Sequence, residues 1–527
     1  PIIRQAAPVS AILAATMPNP PKTPAPIRYR IDMPEPHTHL YRVTLTIAEP
    51  EGMQRLSLPA WIPGSYLIRE FARHLQGLRA RQGRRALPVV QTGKSSWEVA
   101  CKPGTALTLD YAVYGGDASV RTAWLDASRG FFNATSLCLR AQGHTHHPHT
   151  LELTAPRTRP RWQVATGLAA ARVDAHGFGL YAAADYDELA DCPFELGAFW
   201  SGHFKAAGVP HRFVVAGATA AFDGERLLAD TRTICETAIR FWHGRGKPPH
   251  TSYVFMLNAV DDSYGGLEHR NSTALICGRR DLPRLGEPKA SDGYTTLLGL
   301  ISHEYFHTWN VKRLRPAEFT RYDYTQENYT RLLWFFEGFT SYYDDLLLRR
   351  AGLLDDAGYL KLLNKTINQV LQTPGRAVQS VAQASFDAWV KYYRPDENTP
   401  NATVSYYTKG ALVALCLDLS LRREGHTTLD AVMRALWTRC QAGPMREDDL
   451  LAVLADLGGR DFSPELADWV RGTGELPLKD LLEHHGVAVH EDAAQPAQRL
   501  GLRVTETAGI QVKVVLRASA AERAGFS

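Results

Sequence analysis

Two histidines four residues apart, with a glutamate directly after the first, stand in His303-Glu304-Tyr305-Phe306-His307, inside an apolar run of helical spacing from Tyr294 to Trp309. Residues four apart share one face of a helix, so both imidazoles can offer a nitrogen to one Zn²⁺ at about 2.0 to 2.1 Å. Glu304, one position round, then lies beside the open coordination position, where metal-assisted hydrolysis needs a general base. In a chain with 19 histidines such a pattern also arises by accident, as a helix with two half-buried, hydrogen-bonded histidines. A third ligand separates the two readings.

Catalytic zinc usually takes three protein ligands and leaves one position for water. Glu337 meets that need from a second segment, Asn328 to Arg350, in which Leu332, Leu333, Trp334, Phe335, Phe336, Phe339, Tyr342 and Tyr343 predict a helix buried on most sides. Burying an unpaired carboxylate there is costly, and a cation is the natural remedy; a salt bridge to an arginine is the bland alternative. Val311 to Gln326, with its basic and proline residues, reads as a loop between the two ligand helices.

Together with Thr308-Trp309-Asn310-Val311-Lys312-Arg313-Leu314-Arg315-Pro316 and Trp334-Phe335-Phe336-Glu337-Gly338-Phe339-Thr340, these segments resemble the glycyl aminopeptidase family over most of the chain. The resemblance implies a gluzincin: a zinc exopeptidase whose catalytic domain is similar to that of the membrane alanyl aminopeptidases, with an N-terminal β domain and a C-terminal PDZ domain. Trp61-Ile62-Pro63-Gly64-Ser65-Tyr66 and Gly130-Phe131-Phe132-Asn133 resemble less specific signatures of that β domain. So does Cys192-Pro193-Phe194-Glu195-Leu196-Gly197, whose Glu195 is within reach of the site but carries no role from sequence.

Gly265-Gly266-Leu267-Glu268-His269 lies between two strand-like runs, Tyr253 to Val260 and Ser272 to Cys277, and resembles the aminopeptidase exopeptidase motif. By that resemblance Glu268 binds the free α-ammonium of the substrate, a carboxylate ruler that measures one residue from the N-terminus. Gly265 and Gly266 suit a bend at which a peptide backbone approaches and pairs with a sheet edge. A hairpin turn with an exposed glutamate is the alternative. Tyr406-Tyr407-Thr408-Lys409-Gly410, opening an apolar helix over Ala411 to Leu421, resembles the Y-x-K-G element of the same clan. The resemblance makes Tyr407 the donor to the oxyanion, with Tyr406 as the fallback if the register is off by one. In the thermolysin branch an aspartate follows the third ligand by four residues; here Ser341 stands there, with Asp344 and Asp345 beyond, which leaves the group orienting His303 open.

The elements that must position these residues come from a chain of 527 residues, 45% hydrophobic and 22% charged, long enough for three or four globular domains. A net charge of +4 with dispersed arginines excludes nucleic acid as an expected partner. Seven scattered cysteines without a C-x-x-C pair read as reduced thiols. No apolar run reaches the 18 or so residues of a membrane span. Ala7 to Ala15 is only mildly apolar, and Met17 reads as a natural start, so the cytoplasm is the expected compartment, with the periplasm as the alternative.

The expected fold is multidomain α+β. After an N-terminal extension over 1–17, an N-terminal β domain spans 18–208, with strand-like runs such as Leu40 to Ile47 and Thr105 to Tyr114. Its histidine-rich stretch, Gly143-His144-Thr145-His146-His147-Pro148-His149, reads as solvated histidines rather than a second metal site. A thermolysin-like zinc catalytic domain with a helical continuation spans 209–490, with amphipathic helices from Tyr359 to about Leu482. The stretch 491–527 resembles the opening of a PDZ domain and stops short of a complete one.

The expected activity is that of an aminopeptidase with one Zn²⁺ per chain, held by His303, His307 and Glu337. Glu304 is the base and Tyr407 the oxyanion donor, acting on peptides with a free N-terminus. A preference for glycine or alanine rests on the resemblance alone. Two alternatives stay open: a metalloendopeptidase, and a non-catalytic peptide-binding protein on a peptidase scaffold.

Overall fold

The computed structural model describes residues 25–492, 495–506 and 509–526; the extension expected over 1–17 lies outside them. The chain is multidomain α+β, with a large N-terminal β-sheet domain and a helical C-terminal region. Leu40–Ile47 shows the local logic of the first part: Tyr41, Val43, Leu45 and Ile47 are buried while the residues between them are not, a period of two that suits a strand with one face on a core. It lies within an eight-stranded sheet ordered Ala169–Val173, Gly179–Ala183, His149–Leu153, Ile27–Asp32, Leu40–Ile47, Leu107–Tyr114, Leu75–Gln82, Arg85–Leu87. Two four-stranded sheets accompany it, one of them holding Phe194–Gly197 between Gln163–Thr166 and Arg129–Phe132.

The sheets change earlier than residue 208. Trp200–Ala206 forms a hairpin with Val209–Ala216 through Ala207 and Gly208, at φ 48° and 80°, and belongs to the next sheet. That sheet has five strands, in the order Trp200–Ala206, Val209–Ala216, Tyr253–Val260, Ser272–Gly278, Gly265–Glu268. Val209–Ala216, Tyr253–Val260 and Ser272–Gly278 run parallel, and the last two are buried almost throughout, as strands covered on both faces must be. Gly265–Glu268 runs antiparallel at the edge. The helix Gly224–His243 packs on Trp200–Ala206 and on a second helix, Asp292–Phe306.

Asp292–Phe306 packs on Gly338–Arg350, which in turn packs on Thr408–Glu424. The single helix expected over Asn328 to Arg350 is instead two, Leu333–Phe336 and Gly338–Arg350, meeting at Glu337. The break accompanies a close crossing. A Cβ on Gly338 would stand 2.6 Å from the backbone of Gly410, and one on Gly410 would stand 2.5 Å from the carbonyl oxygen of Trp334.

The two halves interlock. Trp61 and Tyr66 are buried in the core of the helical part, whereas Leu267, Ala274, Ile276 and Tyr324 pack into the N-terminal core. Lys312 pairs with Asp191 across this junction at 2.6 Å, both largely buried. Near the end, Leu502–Glu506 and Ile510–Val515 form a hairpin followed by the short helix Ala520–Arg523. Asn401 holds it: its side-chain amide donates to the Val515 carbonyl at 3.0 Å and accepts from the Arg517 N–H at 2.8 Å. All seven cysteines are free, and among the described residues no helix is long and apolar enough to cross a membrane.

Candidate active site

The helix Asp292–Phe306 starts at Ser291, whose hydroxyl accepts from the Tyr294 N–H, and ends at His307 as its cap, so the H-E-x-x-H residues occupy its last turn. The two imidazoles stand at 87° to one another with Nε2 atoms 3.1 Å apart. Oε2 of Glu337, at the break between its two helices, lies 3.6 Å from Nε2 of His303 and 3.3 Å from Nε2 of His307. Ligands at tetrahedral angles, about 2.0 to 2.1 Å from a common centre, stand about 3.3 Å from each other, so this triangle has the right size for one zinc-like cation. Its outer contacts agree. Nδ1 of His303 faces Oδ2 of Asp344 at 3.0 Å, and Nδ1 of His307 faces the carbonyl of Asn310 at 2.7 Å, which leaves both Nε2 atoms turned inward. Asp344 is thus the partner of His303 that sequence spacing left open.

Val311, buried and β-branched, is held at φ 132°, a conformation that L side chains rarely adopt. It stands between Asn310, whose carbonyl meets His307, and Lys312, which is anchored on Asp191.

Carboxylates crowd this chamber. Glu268, Glu304 and Glu337 are 5%, 5% and 2% exposed, and oxygens of Glu268 and Glu304 come within 4.8 Å of one another and of a His307 nitrogen. Oε2 of Glu304 is buried and has no hydrogen-bond partner among the described residues. Burial pushes the Glu304 carboxyl up to about 7, with Glu268 and Glu337 adding to the rise and His303 and His307 opposing it. Burial acts the same way on Glu337, but His307 and His303 outweigh it and hold that carboxyl down at about 2. For His303 the effect of burial is reversed by Asp344 and Glu337, which raise it. Three buried acids facing two imidazoles are a donor set that a divalent cation would neutralise. Glu268, Glu304 and His307 form a second possible triad, but His303, His307 and Glu337 have the oriented imidazoles and the tetrahedral spacing.

The edge strand Gly265–Glu268 passes directly over Glu304: a Cβ on Gly266 would sit 2.0 Å from its Oε1. From the other side Gly64, at φ 92°, approaches Glu268 so closely that a Cβ there would lie 2.6 Å from both carboxylate oxygens. Tyr66, two residues on, donates its phenol to Oε1 of Glu337 at 3.4 Å. The Trp61 to Tyr66 stretch therefore reaches the site itself, which its sequence did not indicate.

Tyr407 caps Thr408–Glu424, its ring 6.3 Å from that of His303 and its hydroxyl 3.4 Å from that of Tyr393. Burial, reinforced by Glu337, raises its phenol well above the ordinary value, so it is a neutral donor at neutral pH. Tyr406 is fully buried, stacks on Tyr407 and meets the ring of Tyr392 at a tilt. Glu195 is held by Arg129 at 2.6 and 2.7 Å within the N-terminal domain. Among the described residues the histidine-rich stretch forms no cluster of three metal donors. A concavity of about 820 Å³ lined by Trp162, Phe199 and Arg279, among others, includes none of the candidate site residues.

Residues 28–198 match the Peptidase M61 N-terminal domain, and residues 296–413 match the M61 glycyl aminopeptidase domain. No curated protein matches the chain. The crystal structure of an aminopeptidase N family protein from Idiomarina loihiensis is 41% identical over 95% of this chain and 88% of its own, with a TM-score of 0.91. An M1 zinc metallopeptidase from Deinococcus radiodurans shares the fold at 16% identity and TM-score 0.53, over 86% of this chain and 95% of its own. A mutant of that enzyme bound to a Tyr-Ser-Ala substrate aligns over the same shares at 15% identity and TM-score 0.52. With 41% identity over nearly its whole length and family matches in both halves, this chain belongs to the M61 glycyl aminopeptidase family of peptidases.

Proposed function

We propose that the protein is a zinc aminopeptidase that removes a small N-terminal residue, glycine or alanine, from peptides. The observation that carries this reading is the triangle of His303 Nε2, His307 Nε2 and Glu337 Oε2, with both outer imidazole nitrogens tied down. These three residues would hold one Zn²⁺, which when bound supplies a Lewis acid for water and for the scissile carbonyl.

Glu304 accepts the proton of the attacking water and returns it to the leaving amine. Its buried, unpartnered oxygen and its raised pKa suit a group that takes and gives a proton near neutrality. Tyr407 donates its phenolic hydrogen to the oxyanion of the tetrahedral species. Glu268 pairs with the substrate α-ammonium, and the sheet edge at Gly265 and Gly266, where Arg121 donates to the Gly266 carbonyl, takes the peptide backbone as an added strand. Gly64 packs against the Glu268 carboxylate, and a fixed anchor for a free ammonium favours an exopeptidase over an endopeptidase. We read the sheet-and-helix part as thermolysin-like, and the terminal hairpin and helix as the opening of a PDZ domain.

The test is metal content measured beside hydrolysis of free-amine aminoacyl substrates, with and without chelator. One zinc per chain and chelator-sensitive release of glycine or alanine are expected. Equal cleavage of N-acetylated and free peptides would favour the endopeptidase, and a zinc-loaded protein without any hydrolysis would favour the binding scaffold.

A further inference from the structure

We infer that this cleft also carries a carboxylate subsite, formed by Arg121 and Arg69 of the N-terminal domain, which selects the α-carboxylate of di- and tripeptides; the inference rests on the aminopeptidase reading. Nη2 of Arg121 donates to the carbonyl of Gly266 at 3.3 Å, and its Nη1 would lie 3.6 Å from a Cβ on Gly265. Its Nε is buried with no hydrogen-bond partner among the described residues. Arg69 grips the hydroxyl of Ser65 through Nε at 3.1 Å and Nη2 at 2.8 Å, in the same loop that brings Gly64 onto Glu268.

Neither guanidinium is ion-paired with a carboxylate among the described residues, although each is only partly exposed. Burial, with the like charge of Arg121 adding to it, lowers Arg69 to about 10; Tyr393 and the exposed Asp117 oppose this. Two half-buried guanidiniums without a carboxylate partner among the described residues are a poor arrangement for stability alone, and an incoming anion would satisfy both.

Position along the edge strand identifies the anion. Arg121 meets the strand at Gly266, two residues before Glu268, and two residues of extended chain span about 7 Å. A peptide paired with this edge, its ammonium on Glu268, places a group about two residues further on beside Arg121. For a dipeptide that group is the terminal carboxylate, and the arginine side chains have the reach to take that of a tripeptide. A carboxylate presented to planar guanidinium forks forms charge-assisted hydrogen bonds, the strong kind. The site thus holds a short peptide by both ends, ammonium on Glu268 and carboxylate on the arginines, with the scissile bond between.

The experiment compares kcat and KM for Ala-Ala, Ala-Ala amide, Ala-Glu amide and alanine p-nitroanilide in the zinc-loaded protein, and repeats the comparison for Arg121→Gln and Arg69→Gln. Expected is a preference for Ala-Ala over its amide of about tenfold or more, carried by KM, which falls toward unity in either variant. Equal efficiency on acid and amide in the unaltered protein would overturn the subsite, and that comparison needs no variant to fold. A ratio unchanged in both variants would overturn the two arginines. Ala-Glu amide matching Ala-Ala would replace the α-carboxylate by a side-chain one. No turnover of any substrate, the anilide included, would instead overturn the aminopeptidase reading.

Discussion

The phenol of Tyr66 donates to Oε1 of Glu337 across 3.4 Å in a fully buried position, so a residue of the N-terminal domain steadies the carboxylate that faces both histidines. Asp344 does the same for His303 from the next turns of the Glu337 helix.

Both contacts orient candidate ligands, and both are open to test. Tyr66→Phe and Asp344→Asn are each expected to weaken zinc binding by about 10- to 100-fold, with the fold retained. Competition with a chromophoric chelator measures this. Unchanged zinc affinity in both variants would remove them from the metal's support.

Glu304→Gln is expected to keep zinc and lose turnover by a factor of about 10² to 10⁴. Gly266→Ala reaches the same residue from outside, because its new Cβ would fall 2.0 Å from Oε1 and force the carboxylate aside. A displaced base is expected to lower kcat about 10²-fold with metal content intact. Full activity of the alanine variant would mean that Glu304 does not work from the observed position.

For Tyr407→Phe the expected loss is about 10² or more in kcat, with KM little changed, since the phenol acts on charge that develops only during reaction. Steady-state kinetics on an alanine anilide decide it. An unaltered kcat would pass the role to another donor.

Acid should destabilise the fold through histidines buried in the neutral form. His211 donates from Nδ1 to the carbonyl of Val209 at 2.9 Å, and its Nε2 meets the hydroxyl of Tyr305, which also contacts His250. Burial lowers His211 to about 4 and His250 to about 2. An unfolded histidine titrates near 6.5 and so binds its proton first. Stability is therefore complete above about pH 6.5 and falls as the pH drops toward 4, by about 3 kcal/mol for His211 alone. Urea midpoints measured across that range should decline for the unaltered protein and less steeply for His211→Phe. Parallel declines would remove His211 from the effect.

Much of the candidate site was legible in the sequence because it is local. The spacing of His303 and His307 follows from one helical turn, and Glu337 stood out as an acid in a run of aromatic residues. The break at Glu337 was not legible, since it goes with a tertiary crossing between Gly338 and Gly410 rather than with a proline or a cap. Nor was the partnership of Asp344 with His303, which depends on how two helices are rotated about their axes. Gly64, Tyr66 and Arg121 lie more than 130 residues from the strand and helices they approach, and no periodicity reports so distant a contact. Trp200–Ala206 falls inside the range 18–208 expected for the first domain; its hydrogen bonds to Val209–Ala216 assign it to the next sheet.

The crossing of Gly338 and Gly410 bears on how far this scaffold tolerates change. Each position faces main-chain atoms that have nowhere to go, and each is close in sequence to a residue of the site, Glu337 on one helix and Tyr407 on the other. A single methyl group at either would act as a wedge, prising the phenol away from the candidate cation pocket without altering any atom of the proposed machinery. A saturation scan scored on turnover should therefore find two indispensable residues that have no side chain and never meet the substrate.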